Sequence, residues 1–263
     1  MRQIARNLWV LLVIVGWTFA CFPFALVSMI VTLDPGASIW WARRIWAPVL
    51  LWSASSRLEV QGVEHVDPKR PTLYVANHQS AADVPVMFMA IPINLRFVGK
   101  KQLIWVPIIG WYMWIAGYIF VDRGNRAKAI ASLEVAAKRI RGGVSLIMFA
   151  EGTRSEDGRI LPFKKGPFAL ALKSGVALCP VTIDGTGKMM PKSRWHITPR
   201  IVKVKIGAPI DTSKYDPDAR EKLIRDVRQV IIRQSLELGG PGGAMGEDVA
   251  GAGVEGIGRP AAR

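Results

Sequence analysis

At 263 residues and 29.0 kDa, the chain has room for one sizeable α/β domain and a smaller appendage. Its 35 Lys and Arg against 20 Asp and Glu give a formal charge of +15. That balance suits anionic partners: lipid headgroups, phosphorylated metabolites, acidic carrier proteins or nucleic acid. Cys21 and Cys179 stand far apart, which excludes a disulfide framework and a cysteine-based metal centre and suits a reducing compartment.

Residues 8–33 carry no charge until Asp34, a run long enough to cross a bilayer, and Arg2 and Arg6 precede it. The run is too long for a signal-peptide core and shows no small-residue cleavage site. Pro23 interrupts it, so a kinked span and a re-entrant hairpin are both open. After the turn Asp34-Pro35-Gly36, residues 39–58 combine Trp40, Trp41, Trp46 and Trp52 with Arg43 and Arg44, a headgroup-level composition that predicts an interfacial helix. The alternative is a buried helical hairpin of a soluble protein.

From Arg57 short β-like runs alternate with helical ones. Strands are predicted at 58–61, 73–76, 95–98, 118–121, 145–149, 177–183 and 201–206, and helices at 80–90, 125–141, 166–174 and 218–236. Alternation of this kind predicts an α/β fold: a largely parallel central sheet flanked by helices, with an N-terminal membrane-associated helical hairpin. Three regions follow: 1–56 as the membrane segment, 57–238 as the α/β domain, and 239–263 as a Gly/Ala-rich tail too poor in apolar side chains to order itself.

The most informative stretch is 71–83, Pro-Thr-Leu-Tyr-Val-Ala-Asn-His-Gln-Ser-Ala-Ala-Asp. On one helix His78 and Asp83 would be about 140° apart and could not meet well. If His78 lies in a turn and Asp83 in the following first helical turn, the imidazole can fold back onto the carboxylate. Asp then fixes one ring nitrogen as N–H and leaves the other free to take a proton. Ser80-Ala-Ala-Asp83 is equally a capping-box pattern, in which Asp83 merely serves the helix start.

Other polar clusters fall at strand ends, where α/β proteins place their sites. Asp122-Arg123 ends one strand, and Glu151-Gly152-Thr153-Arg154-Ser155 follows another. Pro180, inside a strand-like run, predicts an edge strand or a bulge. Singly, Arg123 reads as part of a turn and Arg154 as a solvated charge.

Taken together and in order, Asn77-His78-x4-Asp83, Gly117-x2-Phe120-x-Asp122-Arg123, Glu151 to Ser155 and Pro180 resemble the four blocks of the glycerolipid acyltransferases, most closely those acting on 1-acylglycerol 3-phosphate. Phe163-Lys164-Lys165-Gly166 and Lys100-Lys101 with Leu103, Pro107 and Gly110 are similar too. The resemblance implies transfer of a fatty acyl group from a thioester, acyl-CoA or acyl-acyl-carrier protein, to the sn-2 hydroxyl of lysophosphatidic acid, giving phosphatidic acid. It implies His78 as general base with Asp83 behind it, and no cofactor or metal. Arg123 and Arg154 would hold the phosphate, helped by Glu151, Gly152 and Lys100. Asn77, Thr153, Ser155 and Pro180 would support the motifs or the oxyanion. No Gly-x-Ser-x-Gly elbow is present, so direct transfer without an acyl-enzyme is the simpler chemistry. Membrane lipids become a partner, with the chain on the cytoplasmic face of the inner (plasma) membrane.

Two rivals remain. One is an acyltransferase of the same superfamily with glycerol 3-phosphate or another lyso-lipid as acceptor. The other is a non-catalytic, basic, membrane-tethered binder, for which Lys192, Arg194, Trp195, Lys203 and Lys205 offer a patch. No nucleic-acid signature accompanies that patch, and nucleic acid is not expected as a partner.

Overall fold

The computed structural model describes residues 1–122, 124–216 and 218–243. Short apolar runs bounded by turn residues become strands: β1 (Arg57–Gln61), β2 (Thr72–Ala76), β3 (Leu95–Lys100), β4 (Ile119–Val121), β5 (Ser145–Phe149), β6 (Ala177–Asp184) and β7 (Ile201–Ile206). They form one sheet in the order β1-β7-β6-β2-β5-β3-β4, in which only the β6–β7 pair is antiparallel. The helices are α1 (Arg2–Thr32), α2 (Ala37–Trp41), α3 (Ala47–Ser53), α4 (Asp83–Ala90), α5 (Ile109–Ile115), α6 (Arg126–Arg141), α7 (Lys165–Ser174), α8 (Thr186–Met189) and α9 (Arg220–Glu237). The α/β fold with a largely parallel sheet is the one expected.

Strand β2 explains the layering. All five of its residues are buried, because successive side chains feed opposite faces. Tyr74 and Ala76 join Met87 of α4 in one apolar cluster, and Leu73 and Val75 join Ile140, Phe168 and Val227 of α6, α7 and α9 in the other. The N-terminal hairpin belongs to the first cluster: Val10, Met29, Ala47 and Leu51 are buried there. Hairpin and sheet therefore share a core.

Helix α1 runs on through Pro23, so the chain makes no re-entrant turn at that residue. The chain returns through α2, one wider π-helical turn (Ala42–Trp46) and α3, which ends at Ser53 rather than continuing to 58. Trp41 stacks on Phe24, and the Trp46 indole N–H donates to Thr18 Oγ1 at 2.9 Å, tying the two arms together. Helix α1 rests on the α/β domain at its start and again two thirds of the way along. Gln3 donates to the Ile197 carbonyl and Asn7 to that of Trp195, while further on Phe22 meets the Tyr112 ring. Ile4, Leu8, Leu12, Val15, Phe19, Phe24, Val27, Ile30 and Val31 are exposed along its length. The helix is long and apolar enough to cross a membrane by length and composition, and its bare apolar surface suits contact with lipid.

The structure settles the two readings of Pro180. Its strand, β6, is interior, between β7 and β2, with Pro180 opposite Val75, so an edge position is ruled out. The bulge is present: antiparallel pairing with the β7 side runs to Val181 with Ile206 and resumes at Leu178 with Ile210, one residue out of register. At the break the Pro180 carbonyl accepts from Gly207 N at 2.8 Å, and the Gly207 carbonyl, which a proline cannot serve, accepts from Cys179 Sγ at 3.2 Å. Gly207 also leaves room for the ring: a Cβ there would lie 2.8 Å from Pro180 Cγ.

Beyond Leu238 the chain folds back, with Gly243 bridging Ile160. The rest of the expected tail, 244–263, lies outside the described residues.

Candidate active site

Parallel pairing of β2, β5, β3 and β4 as neighbours brings four carboxyl-terminal ends to one edge of the sheet. His78 follows β2, Glu151 to Ser155 follow β5, Lys100 ends β3 and Asp122 follows β4. Three of the four sequence blocks, together with Lys100, thus converge through topology, at the edge where α/β folds bind ligands.

The loop after β2 keeps His78 out of the helix, which begins only at Asp83. His78 Nδ1 then lies 2.7 Å from Asp83 Oδ2. The Asp83 side chain is fully buried and the His78 side chain 19% exposed. A carboxylate can only accept, so Nδ1 carries the proton, and in the neutral ring Nε2 is the nitrogen with the lone pair. The imidazole also stacks on Phe149, ring centres 4.0 Å apart at 9°, which restricts its rotation. Asp83 Oδ2 accepts from the backbone amides of Gln79 at 2.7 Å and Ser80 at 3.0 Å as well. Half of the capping box is therefore present, and one oxygen serves both of the alternatives left open by the sequence.

Glu151 is 2% exposed and turned inward. Its Oε1 accepts from the His78 backbone N–H at 3.1 Å, and the Ser155 amide donates to the His78 carbonyl at 2.8 Å. Both backbone groups of His78 are thus held by the loop after β5. Burial, reinforced by the negative charge of Asp83, pushes the Glu151 carboxyl up to about 8. Gly152 has φ 71, a left-handed turn position that suits glycine.

The remaining candidates divide. Asn77 is buried and clamps β6: its amide donates to the Ile183 carbonyl at 2.9 Å and accepts from Ile183 N at 2.8 Å. Its polar groups face the sheet, not the catalytic opening. Ser155 Oγ donates to Asp157, and Pro180 lies within the sheet beside β2. Thr153 and Lys100 are exposed and Arg154 half-exposed, all at the site's edge. Arg123 lies outside the described residues. Two residues escaped the sequence reading. Phe149 was legible as a strand end but carried no sign of stacking. Gln79 was a polar residue within the block; it is buried, and its side chain donates to the Gly158 carbonyl at 3.3 Å.

The basic patch of the binder alternative is occupied by other contacts. Trp195 donates to the Asn7 carbonyl, Lys203 to that of Leu238, and Lys205 and Lys192 pair with Glu237 and Glu156.

A family model described as Acyltransferase matches residues 57–184. A 1-acyl-sn-glycerol-3-phosphate acyltransferase of Limnanthes alba is 36% identical over 186 residues, 70% of this chain and 66% of that protein. The chain thus matches just under two thirds of that relative's length. The alpha form from Homo sapiens is 32% identical over 73% of this chain and 68% of its own length. Among solved structures, the 1-acyl-sn-glycerophosphate (LPA) acyltransferase PlsC from Thermotoga maritima superposes with a TM-score of 0.80 at 29% identity, covering 90% of this chain and 96% of that one.

Proposed function

The chain belongs to the acyltransferase family of these 1-acylglycerol-3-phosphate enzymes, and from that membership we propose that it transfers a fatty acyl group from a thioester to the sn-2 hydroxyl of lysophosphatidate, giving phosphatidate. The observation that carries the reading is the His78 ring, steadied by a buried carboxylate 2.7 Å from Nδ1, with Nε2 free on a partly open edge.

The chemistry follows from that arrangement. An alcohol is a weak nucleophile at neutral pH, so Nε2 removes its proton as the oxygen attacks the thioester carbonyl. The imidazolium so formed is stabilised by Asp83. The tetrahedral oxyanion collapses, the C–S bond breaks, and the leaving thiolate takes up the proton from His78. Ester and thiol result, and the base is restored without an acyl-enzyme. Acyl-CoA or acyl-acyl-carrier protein serves as donor. Arg123 and Arg154 hold the acceptor's phosphate as charge-assisted forks, with Lys100 adding charge at the edge. Glu151 and Ser155 act on His78 through the backbone of its loop, and Gly152 lets the backbone approach the glycerol phosphate closely.

The acceptor's chain is insoluble, and drawing it into water would cost about 0.8 kcal/mol per methylene. An apolar hairpin sharing a core with the catalytic sheet lets the chain stay in the leaflet while its headgroup reaches the site. The basic surface suits the cytoplasmic face of the inner membrane. The test is an assay on vesicles with labelled acyl thioester, offering lysophosphatidate beside glycerol 3-phosphate and other lyso-lipids. Label in phosphatidate is expected; preference for another acceptor would reassign the substrate.

A further inference from the structure

After β3 the chain makes a 3₁₀ turn (Lys101–Trp105) and then α5, a segment in which the sequence reading placed no element. It carries Trp105, Trp111 and Trp114 exposed to 79%, 56% and 66%, with Ile109 and Ile115 exposed beside them. Large apolar side chains so concentrated and so bare mark an interaction surface. The segment is rigidly built to present them. Gly110 lies against the 3₁₀ turn so closely that a Cβ would come within 2.3 Å of the Leu103 carbonyl oxygen. Ile108 holds φ 66, a conformation a β-branched residue keeps only where its surroundings impose it.

Two observations identify what covers this face. First, it is continuous with the apolar hairpin: Tyr112 meets Phe22 of α1 at 6.3 Å between ring centres, and its hydroxyl donates to the Ser38 carbonyl of α2. Second, a cavity of about 370 Å³ beneath α5 is lined by Lys101, Lys128 and Arg139, with Trp114 as an apolar wall and Asp122 as the acidic group, paired to Lys101 at 3.5 Å. Tryptophan above a cationic recess is the composition of a lipid headgroup boundary.

We propose that residues 101–115 form a second docking element for an anionic bilayer, set beside the hairpin, with the recess taking the headgroup phosphate of a net-anionic lipid, one with no choline to offset its charge. The inference rests on the bilayer reading of the hairpin. Contacts at two separate elements fix the tilt of the domain, and because the segment leaves the carboxyl-terminal end of β3, they hold the His78 edge at the headgroup level.

The test places an environment-sensitive NBD label at Trp111→Cys, and separately at Val31→Cys on the hairpin and Lys222→Cys on α9, in the full chain. Cys21 and Cys179 are buried, so the introduced thiols take the label. With vesicles of phosphatidylcholine and phosphatidylglycerol, emission at positions 111 and 31 moves to shorter wavelength and is quenched by nitroxide lipids, while position 222 stays in water. Lys101→Gln and Lys128→Gln each weaken binding to those vesicles about fivefold and leave binding to pure phosphatidylcholine unchanged. A label at 111 that stays in water while that at 31 shifts overturns the proposal. So does a shift at 111 without vesicles that grows with protein concentration, which assigns the face to a second copy. These outcomes are independent of acyl transfer; failure of the chemistry appears separately, as no product from detergent-dispersed acceptor.

Discussion

One carboxylate oxygen, Asp83 Oδ2, holds both the His78 ring nitrogen at 2.7 Å and, through the amides of Gln79 and Ser80, the loop that carries the ring. Asp83→Asn keeps an oxygen for those donors and removes the charge that stabilises the imidazolium. kcat is expected to fall about 10²–10⁴-fold with the circular dichroism spectrum unchanged. A loss under about tenfold would reduce Asp83 to a helix cap.

Asn77 does structural work one residue from His78. Asn77→Ala removes two buried bonds and strands the N–H and C=O of Ile183. The expected loss is about 2–4 kcal/mol. For a domain of this size that lowers the thermal midpoint by roughly 4–16 °C, read by differential scanning fluorimetry. A change of under about one degree would show that β2 and β6 hold without the clamp.

Glu151 makes stability depend on pH in a stated direction. Its carboxyl is raised from the ordinary 4.5 to about 8 by burial, so in that window the folded chain binds more protons than the unfolded one. Its contribution is complete below about 4.5, is lost as pH rises toward 8 and is level above, a change on the order of 3–6 kcal/mol. Glu151→Gln removes this slope: denaturant midpoints of variant and wild type should agree near pH 5 and diverge at pH 8.5, with the variant more stable. Parallel curves would contradict the buried, protonated state.

The two arginines are proposed to hold phosphate. Arg123→Ala and Arg154→Ala should each raise the acceptor KM about tenfold to a hundredfold while changing the donor KM little. Initial rates with both substrates varied test this; an effect confined to the donor would move these residues to the thioester side.

Much of this was legible in the sequence because the strands are short apolar runs between turn residues, and one long helix begins at a recognisable cap. Asn125 caps α6 by accepting from the Lys128 amide. The His-x4-Asp spacing foretold the dyad because a strand and a helix flank it. What stayed hidden depends on three-dimensional neighbours. Whether Glu151 faces substrate or core, and where the β7 ladder stops beside Pro180, are set by elements distant in the chain. Residues 101–115 went unassigned because their apolar side chains face outward, without the amphipathic period that marks a core helix. The length of the apolar N-terminal run pointed to lipid but not to how the helix is attached to the rest of the chain, which depends on the contacts of Gln3, Asn7 and Phe22 with residues distant in sequence.

The central claim is that His78 removes the proton from a lipid alcohol. The direct measurement is the rate of phosphatidate formation from lysophosphatidate and an acyl thioester by His78→Ala beside the wild type, with folding checked by thermal unfolding. The account predicts ready transfer by the wild type and a fall of about 10³-fold or more in a folded variant. A His78→Ala protein working within about tenfold of wild type would contradict it.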